Sequence, residues 1–316
     1  MTPPLRVATR GSALARRQTD LVIAALGVPA QVVVVETSGD RRLDVPIADI
    51  GGQGVFVKEV QAAVLDGRAD FAVHSAKDLP SGQVVEGLVI AAVPPRGDPR
   101  DALVGSSLDG LVHGARVGTG AVRRRAQLAW LRPDLVFGEL RGNIDTRLRK
   151  AVDFDAVVVA AAALDRLGRL DAVSEFLAPD LLVPQVGQGA LAVECRSDDW
   201  AVRDALAAID HEPSHRALRA ERAFLAELGG DCNLPVGAYA TLTADGVITL
   251  TGLLAGGGDV RRHTESGEDP VAVGQAVARQ TLGDSGLHKV DNLRVSAGQI
   301  GGDGRDGRGA YGSERD

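Results

Sequence analysis

The sequence is poor in aromatic residues and in cysteine. Aromatic side chains make up 3% of its 316 residues, so a folded core must be built mainly from valine, leucine, alanine and isoleucine. The two cysteines, Cys195 and Cys232, are too few for a disulfide framework. The first residues also lack the apolar core of a signal peptide. These features predict a cytoplasmic protein with reduced thiols.

Long apolar runs and an excess of positive charge are absent as well. No stretch is long enough and apolar enough to span a membrane. The formal net charge of -7 argues against nucleic-acid binding through overall charge. What is present is a chain long enough for two or three globular domains with cores of their own.

A short apolar strand is predicted over residues 71–73, and it ends abruptly in a polar cluster that Pro80 terminates. Ligands bind at the carboxyl ends of strands in open α/β sheets. Lys77 and Asp78 are therefore candidates for a cation and a catalytic carboxylate at the mouth of a cleft. Taken alone, the same cluster is also typical of a solvated turn with a Lys–Asp pair. The polar residues of the cluster are His74, Ser75, Lys77 and Asp78.

Each half of the chain opens with a strand, a short glycine-containing loop and a helix. The loops cover residues 9–12 and 118–120, and the helices are predicted over 13–26 and 121–131. Free backbone N–H groups at such helix starts bind anions, and Arg10 could add a bidentate donor. The alternative is an ordinary N-cap by Ser12, with Arg10 in solvent.

Arginines recur directly after predicted strands in this acidic chain. They are Arg10, Arg124, Arg141, Arg147 and Arg166. One such arginine means little, but the recurrence predicts a basic cleft that binds a polyanion. Helical spacing points the members of the triplet 123–125 in different directions, so one or two of them are expected to face solvent.

The remaining pattern predicts further α/β elements and then a change of character in the last third of the chain. The nearly all-valine segment 31–36 is typical of a strand buried on both faces. The Pro, Gly and charged residues of 94–101 predict a hinge between two domains. The last third is α+β, and Asp269 with Pro270 predicts the start of a final helix that reaches Leu282.

These patterns divide the chain into three domains and a tail. The first α/β domain covers residues 1–95 plus 190–209, the second covers 98–189, and a smaller α+β domain covers 212–282. The tail 283–316 is rich in Gly, Asp, Arg and Ser and is predicted to be disordered. The Gly-rich loop 183–190, which contains Gln188, is only a weak signal for phosphate binding.

The two cysteines have different surroundings in the sequence. Cys195 lies in an apolar strand pattern and is interpreted as a small core residue. Cys232 follows two glycines and an aspartate, which predicts an accessible thiol. Considered alone, such a cysteine more often has an ordinary surface or packing role than a reactive one.

Four motifs occur together and in order in this chain. They are His74-Ser75-Ala76-Lys77-Asp78, Leu140-Arg141-Gly142-Asn143, Val186-Gly187-Gln188-Gly189-Ala190 and Gly229-Gly230-Asp231-Cys232. Each motif is moderately specific, whereas the ordered set is highly specific. From residue 5 to residue 282 the chain resembles the porphobilinogen deaminase family, whose members are also called hydroxymethylbilane synthases.

The resemblance implies an α/β fold of two type II periplasmic-binding-protein-like domains with a hinge, plus a small α+β C-terminal domain. It implies a monomeric, cytoplasmic transferase of heme and other tetrapyrrole biosynthesis, with no metal and no nucleic-acid or membrane partner. The implied reaction condenses four porphobilinogen molecules head to tail with loss of ammonia, and hydrolysis then releases hydroxymethylbilane. The implied cofactor is dipyrromethane, bound through a thioether to Cys232.

The same resemblance implies roles for individual polar residues. Asp78 matches the catalytic aspartate, which would stabilise a cationic azafulvene and accept the pyrrole α-proton. A lid over residues 39–54 would bring Asp40 and Phe56 near the cofactor, where Gln188 is also expected. The carboxylate-binding set would be Arg10, Ser12, Ser75, Lys77, Arg123, Arg124, Arg141, Arg147 and Arg166, in which the two serines act as hydroxyl donors.

The sequence also departs from the family pattern, and one competing class stays open. Asp49 and Gln53 stand where some members have lysines, and Gly120-Ala121 replaces a Ser-Ser pair, which leaves only backbone donors there. A non-catalytic two-domain binding protein for a small carboxylate or phosphate anion would suit the hinge and the paired loops equally. Such a protein needs neither the aspartate nor the attachment cysteine, and it usually has a signal peptide.

Overall fold

Two five-stranded sheets with the same strand order form most of the fold. The computed structural model describes residues 4–41, 54, 56–82, 85–229, 234–256 and 258–283. Its strands are β1 (Leu5–Arg10), β2 (Ala30–Val35), β3 (Phe71–Ser75), β4 (Leu88–Ala92), β5 (Asp101–Val104), β6 (Arg116–Gly118), β7 (Val136–Gly138), β8 (Ala156–Ala160), β9 (Glu175–Leu177), β10 (Leu191–Arg196), β11 (Val236–Leu242), β12 (Ile248–Gly256) and β13 (Asp259–Gly267). Its helices are α1 (Ala13–Leu26), α2 (Ser38–Arg41), α3 (Lys58–Leu65), α4 (Val122–Leu131), α5 (Ile144–Arg149), α6 (Ala161–Arg166), α7 (Trp200–Ala207), α8 (Glu212–Glu227) and α9 (Pro270–Leu282).

The strand orders show how the two sheets are connected. The first sheet is β2-β1-β3-β10-β4 and the second is β7-β6-β8-β5-β9. In each sheet three neighbouring strands are parallel, and the fourth is antiparallel to both of its neighbours. In each sheet this fourth strand, β10 or β5, is the first strand after the chain crosses over from the other sheet. This double crossover with a repeated order confirms the predicted fold class of two type II periplasmic-binding-protein-like units.

The bounds of α1 and α9 match the sequence predictions because their signals are local. Ser12 Oγ accepts a hydrogen bond from the Ala15 N–H at 3.3 Å, and Gly27 ends α1 in the left-handed conformation with φ of 65°. Asp269 directly precedes the first residue of α9, and its side chain accepts a hydrogen bond from the Ala272 N–H at 2.8 Å. Side-chain caps at these positions satisfy backbone donors that the helix leaves open.

Strand β2 is less buried than its valine content predicted. Val34 is 49% exposed, and Val32 and Val33 are only partly covered. Helices α1 and α3 pack mainly over the inner strands β1 and β3, so the edge strand receives less cover. The prediction of a strand buried on both faces was therefore wrong for β2, whereas β8 in the middle of the second sheet is buried at every residue.

A third, smaller unit follows the two sheets. Strands β11, β12 and β13 form an antiparallel sheet, against which α8 and α9 pack. Phe224, Leu250 and Val277 are fully buried between these helices and the sheet. Within the described ranges, no helix has the length and apolar character that crossing a membrane requires.

Candidate active site

Two residues of the predicted polar cluster, His74 and Ser75, belong to β3, so the strand is two residues longer than predicted, and the next residues form a single 3-10 turn, Ala76–Asp78. Its first N–H donates to the Ala190 carbonyl at 3.0 Å, and the Leu79 N–H closes the turn on the Ala76 carbonyl at 3.2 Å. The turn therefore lies at the carboxyl end of β3, next to the segment that crosses back from the second sheet. Its two charged side chains, Lys77 and Asp78, are partly buried and line a cavity.

The cavity in front of the turn has an empty volume of about 470 Å³ and is open to solvent. Residues of β1, α1, β3 and the turn line it, among them Arg10, Ser12, Gln18, Phe56, Ser75, Lys77 and Asp78. A second space of about 260 Å³ shares Gln18, Ser75 and Lys77 with the first. Its other walls are Ala160, Ala162, Ala163 and Arg166 from the second sheet and its helix α6, with Gly187 and Gly189. The candidate site is thus a cleft between the two sheets.

Two cations of this cleft, Lys77 and Arg147, have lowered pKa values. Burial, with repulsion from Arg124 and Arg147, lowers the pKa of Lys77 to about 8 although Asp78 and Asp101 oppose this shift. Burial likewise lowers the pKa of Arg147 to about 10, helped by Arg124 and Arg141 and opposed by Asp78. Partly buried cations that lie among like charges favour an anionic ligand, because the ligand offsets the cost of burial and the cost of repulsion.

A buried carboxylate, Asp101, holds the two arginines at the start of α4. Arg123 donates to it at 2.7 Å and Arg124 at 2.9 Å, and the Gln188 amide donates at 2.9 Å. Burial raises the pKa of Asp101, but attraction to the two arginines and these hydrogen bonds together lower it to about 2. Arg123 and Arg124 are 3% and 5% exposed, so only Arg125 of the triplet reaches the surface in part.

Further contacts occupy Arg123 and Arg124 within the protein. Arg123 donates to the Val183 carbonyl at 2.6 Å, and Arg124 donates to the Val158 carbonyl at 2.9 Å. Both guanidinium groups are thus bound to protein acceptors as well as to Asp101. The predicted carboxylate-binding role of these two residues stays a prediction.

The remaining predicted ligand-binding residues also have contacts of their own. The Arg10 guanidinium lies 4.1 Å from the centroid of the Phe56 ring. Ser12 caps α1, and Ser75 Oγ accepts from the Gln18 amide at 2.8 Å. The structure brings Arg10, Ser12, Ser75 and Phe56 to one cavity, at the end of β1 and β3.

Three arginines on the side of the cleft that the second sheet forms extend its basic lining. Arg141 lies 3.7 Å from the Glu139 carboxylate, and Arg147 donates to the Gly142 carbonyl at 2.8 Å. Arg166 donates to the Gly189 carbonyl at 2.6 Å, and burial lowers its pKa to about 10 against the attraction of Asp165. Arg166 is therefore placed on the same cleft as Lys77, on the opposite wall.

The comparison with known families decides what kind of cleft this is. Residues 5–204 match the family model described as "Porphobilinogen deaminase, dipyromethane cofactor binding domain". Residues 216–283 match the model described as "Porphobilinogen deaminase, C-terminal domain". The chain belongs to the porphobilinogen deaminase family.

Similar proteins named porphobilinogen deaminase cover nearly the whole chain. The one from Brevibacillus brevis is 45% identical over 88% of this chain and 93% of its own length. The one from Roseiflexus sp. is 47% identical over 90% of this chain and 98% of its own. Among solved structures, the periplasmic VFT2 domain of BvgS from Bordetella pertussis covers 70% of this chain and 92% of that chain, with 16% identity and a TM-score of 0.37.

The porphobilinogen deaminase cofactor, a dipyrromethane, fits the donors of this cleft. Each of its pyrroles bears two carboxylates, and carboxylates are bound well by guanidinium and ammonium groups. Besides burial, Arg124 and Arg147 lower the pKa of Lys77, and Arg124 and Arg141 lower that of Arg147, so an anion beside these cations would relieve the repulsion. Among the described side chains, no cluster of three or more His, Cys, Asp or Glu is placed to hold a metal ion.

Several residues with predicted functional roles lie outside the described residues. Cys232 lies there, as do the side chain of Asp40 and most of the predicted lid over residues 39–54. The other cysteine, Cys195, is fully buried in β10, and burial raises the pKa of this thiol to about 11. A buried thiol that stays protonated is inert, which agrees with its prediction as a core residue.

Three buried polar residues of the cleft were missed from sequence. Asp101 was assigned to the hinge, Gln18 to an ordinary helix, and Glu194 to an apolar strand. Glu194 Oε2 lies 3.1 Å from His74 Nε2 and accepts from the Gln61 amide at 2.9 Å, beneath the turn. Gln18 lies on the buried face of α1 with Ala15, Thr19 and Val22, and this helical period was the signal that could have identified it. Glu194 is a charged residue within a strand that is buried at five consecutive residues, and its charge was the signal there.

Proposed function

We propose that this chain is a hydroxymethylbilane synthase, which condenses four porphobilinogen molecules head to tail and releases hydroxymethylbilane. The observation that carries the proposal is the cleft of a porphobilinogen deaminase family member, where Asp78 lies near the partly buried cations Lys77 and Arg147. A non-catalytic anion-binding protein could use the same cations, but it would give no role to the carboxylate among them. We place the reaction in the cytoplasm and in a monomer.

Asp78 acts on the reacting carbon of the substrate. When the aminomethyl C–N bond of porphobilinogen breaks, ammonia leaves and a cationic azafulvene remains. The Asp78 carboxylate stabilises that positive charge. A C–C bond then forms to the free α-carbon of the terminal pyrrole, and the same carboxylate accepts the α-proton that this carbon loses.

The cations of the cleft bind and orient the substrate carboxylates. Lys77 lies next to Asp78 in the turn, and Arg147 and Arg166 approach from the second sheet. Arg10 lines the same cavity as Lys77, and Arg141 lies near enough to Arg147 to add to the lowering of its pKa by burial. Arg123 and Arg124 contribute through their positive field, since their guanidinium groups are bonded to Asp101.

Cys232 is the proposed attachment point of dipyrromethane. When bound, the cofactor supplies the pyrrole α-carbon that receives the first substrate. A covalent tether keeps the growing chain at a high effective concentration beside Asp78. The role of Cys232 rests on its motif and on the inert surroundings of Cys195.

Intact-mass measurement of the purified chain tests the proposal. We expect the mass of the polypeptide plus a two-pyrrole adduct, and consumption of porphobilinogen with formation of hydroxymethylbilane. Cys232→Ser should have the plain chain mass and no turnover. Cys195→Ser is the matched control, because it changes the other cysteine and should keep both adduct and activity.

Two results would contradict the proposal. One is a wild-type chain of plain mass that binds carboxylates but leaves porphobilinogen unchanged, which is the behaviour of a receptor. The other is near-normal product formation by Cys232→Ser. An adduct that moves to Cys195 would contradict the assignment of Cys232 alone.

A further inference from the structure

Helix α8 of the third unit reaches directly to the turn that carries Lys77 and Asp78. The Arg222 guanidinium donates to the Pro80 carbonyl at 2.9 Å and to the Leu79 carbonyl at 3.3 Å. These two carbonyls follow Asp78 immediately in the chain. A planar guanidinium can bind two neighbouring carbonyls at once, which fixes their direction as well as their distance.

The residue before Arg222 holds the other side of the same turn. Glu221 is fully buried, and its carboxylate accepts from the Gly187 N–H at 2.7 Å. Gly187 lies against the backbone of the turn, since a Cβ added there would be 3.0 Å from the Lys77 nitrogen. Consecutive residues of α8 therefore hold the turn from two directions, one directly and one through Gly187.

Ala76 and Leu79 are buried in a hydrophobic cluster, but few hydrogen bonds other than those of Arg222 fix the direction of the turn. One of them is a long contact of 3.5 Å from the Gln185 amide to the Lys77 carbonyl. A second closes the turn, from the Leu79 N–H to the Ala76 carbonyl, and Pro80 has no N–H to add another. Its entry is fixed by the Ala190 carbonyl, but its exit is held by Arg222. The exit is also the side on which Asp78 lies.

We propose that Arg222 is a positioning residue that sets the location of the Asp78 carboxylate in the cleft. For its kinetic readout this inference rests on the proposed function. It gives the third unit a role in catalysis besides carrying the attachment cysteine. A shift of about 1 Å in a reacting group can cost about 100-fold in rate, so the loss of this contact should act mainly on kcat.

Hydrogen–deuterium exchange and kinetics of Arg222→Gln test the proposal. We expect amides 76–79 to exchange at least about tenfold faster than in wild type, while amides of β11–β13 keep their rates. Per molecule carrying the adduct, kcat should fall about 10- to 100-fold and KM should stay within about threefold. The exchange rates and kcat of Arg222→Lys should lie between those of wild type and Arg222→Gln, because an ammonium group can bind the two carbonyls but lacks the fork geometry of a guanidinium.

The matched control is Arg219→Gln, which removes an exposed arginine from the same helix and should behave as wild type. Wild-type exchange in the turn of Arg222→Gln would overturn the proposal whatever its activity. So would equally faster exchange in the turn and in β11–β13, which indicates general destabilisation. If Arg222→Gln does not fold, the same criteria apply to Arg222→Lys.

The exchange measurement also separates this inference from the proposed function. If wild-type enzyme leaves porphobilinogen unchanged, the proposed function fails. Even then, faster exchange confined to the turn in Arg222→Gln would support the proposal that Arg222 positions the turn. Unchanged exchange in that variant would overturn it.

Discussion

At the scale of single residues, the basic side chains of the cleft differ in what balances their charge. Arg123 and Arg124 share the buried carboxylate of Asp101. Lys77 and Arg147 instead lie among like charges, and burial adds to the cost of keeping them charged. A carboxylate ligand therefore gains most at Lys77 and Arg147, which are the residues whose charge Asp78 also stabilises.

Lys77 should give the enzyme a pH dependence on the alkaline side. With a pKa of about 8, its ammonium loses a proton as the pH rises through 8, far below the usual range for lysine. Only the protonated form attracts a substrate carboxylate, so kcat/KM should fall roughly fivefold to tenfold between pH 7.5 and 9. Steady-state kinetics across this range measure the effect.

Lys77→Arg is the control for that pH profile. A guanidinium stays charged over the whole range, so the decline above pH 8 should disappear even if the activity at pH 7 is lower. Identical alkaline limbs in wild type and Lys77→Arg would assign the decline to another group.

Asp78→Ala should nearly abolish turnover. The variant removes the charge that stabilises the azafulvene and the acceptor of the α-proton, and such groups contribute about 100-fold to 10,000-fold. The rate of hydroxymethylbilane formation per molecule carrying the adduct is the measurement. Asp66→Asn is the control, since the Asp66 side chain is 62% exposed and its ion pair among the described residues is with Arg68 at 3.4 Å. A rate within tenfold of wild type in Asp78→Ala would contradict the assigned role.

At the scale of elements, helices whose ends are set by local signals were predicted well, whereas strands that depend on long-range pairing were missed. The bounds of α1 were predicted because Ser12 and its neighbours carry the cap in the sequence itself. Strands β5 and β9 were missed, since each is short and is a strand only because partners from distant segments pair with it. β13 was missed because its residues are mostly polar and its place is set by pairing with β12.

The candidate site follows the same division. Lys77, Asp78 and the arginines after strands were predicted, because strand ends place them without knowledge of the rest of the fold. Asp101 and Arg222 were not, because their contacts cross between units that the sequence does not order in space. A resemblance in motifs identifies ligand-binding residues, but it does not show which other side chains fix their positions.

Gly187→Ala tests the contact between the Gly-rich loop and the turn. Gly187 has φ of 71°, and the added Cβ would lie 3.0 Å from the Lys77 nitrogen. The variant should lose about 1–3 kcal/mol of unfolding free energy and also lower kcat, because the turn must shift. Urea unfolding and steady-state kinetics measure the two effects.

Gly27→Ala is the matched control for backbone strain. Gly27 has φ of 65°, and a Cβ there meets nothing within 4 Å. It should lose stability from the left-handed conformation alone and keep full kcat. A Gly187→Ala variant that loses stability without losing kcat would show that the turn tolerates the added methyl group.

At the scale of the whole molecule, one carboxylate joins three parts of the chain. Glu221 accepts from Arg96 in the first crossing segment at 2.6 Å, from the Gly187 N–H at 2.7 Å, and from the Ala240 N–H of β11 at 2.9 Å. Arg96 in turn donates to the Gln188 carbonyl at 2.9 Å. The two crossings between sheets and the third unit are thus fastened at a single buried point.

Glu221→Gln should therefore weaken the whole assembly. It leaves the Arg96 charge buried without its carboxylate, and breaking a buried pair in this way costs about 3–5 kcal/mol. Urea unfolding should show this loss, whereas Glu227→Gln, which removes the partly exposed pair with Arg279, should cost less than about 1 kcal/mol. Arg96→Met should be similarly destabilised, and the double variant should lose less than the sum of the two single losses, because each single variant already breaks the same pair. Strictly additive losses would mean that the two side chains stabilise the fold independently, and the crossings and the third unit would then not be fastened through this pair.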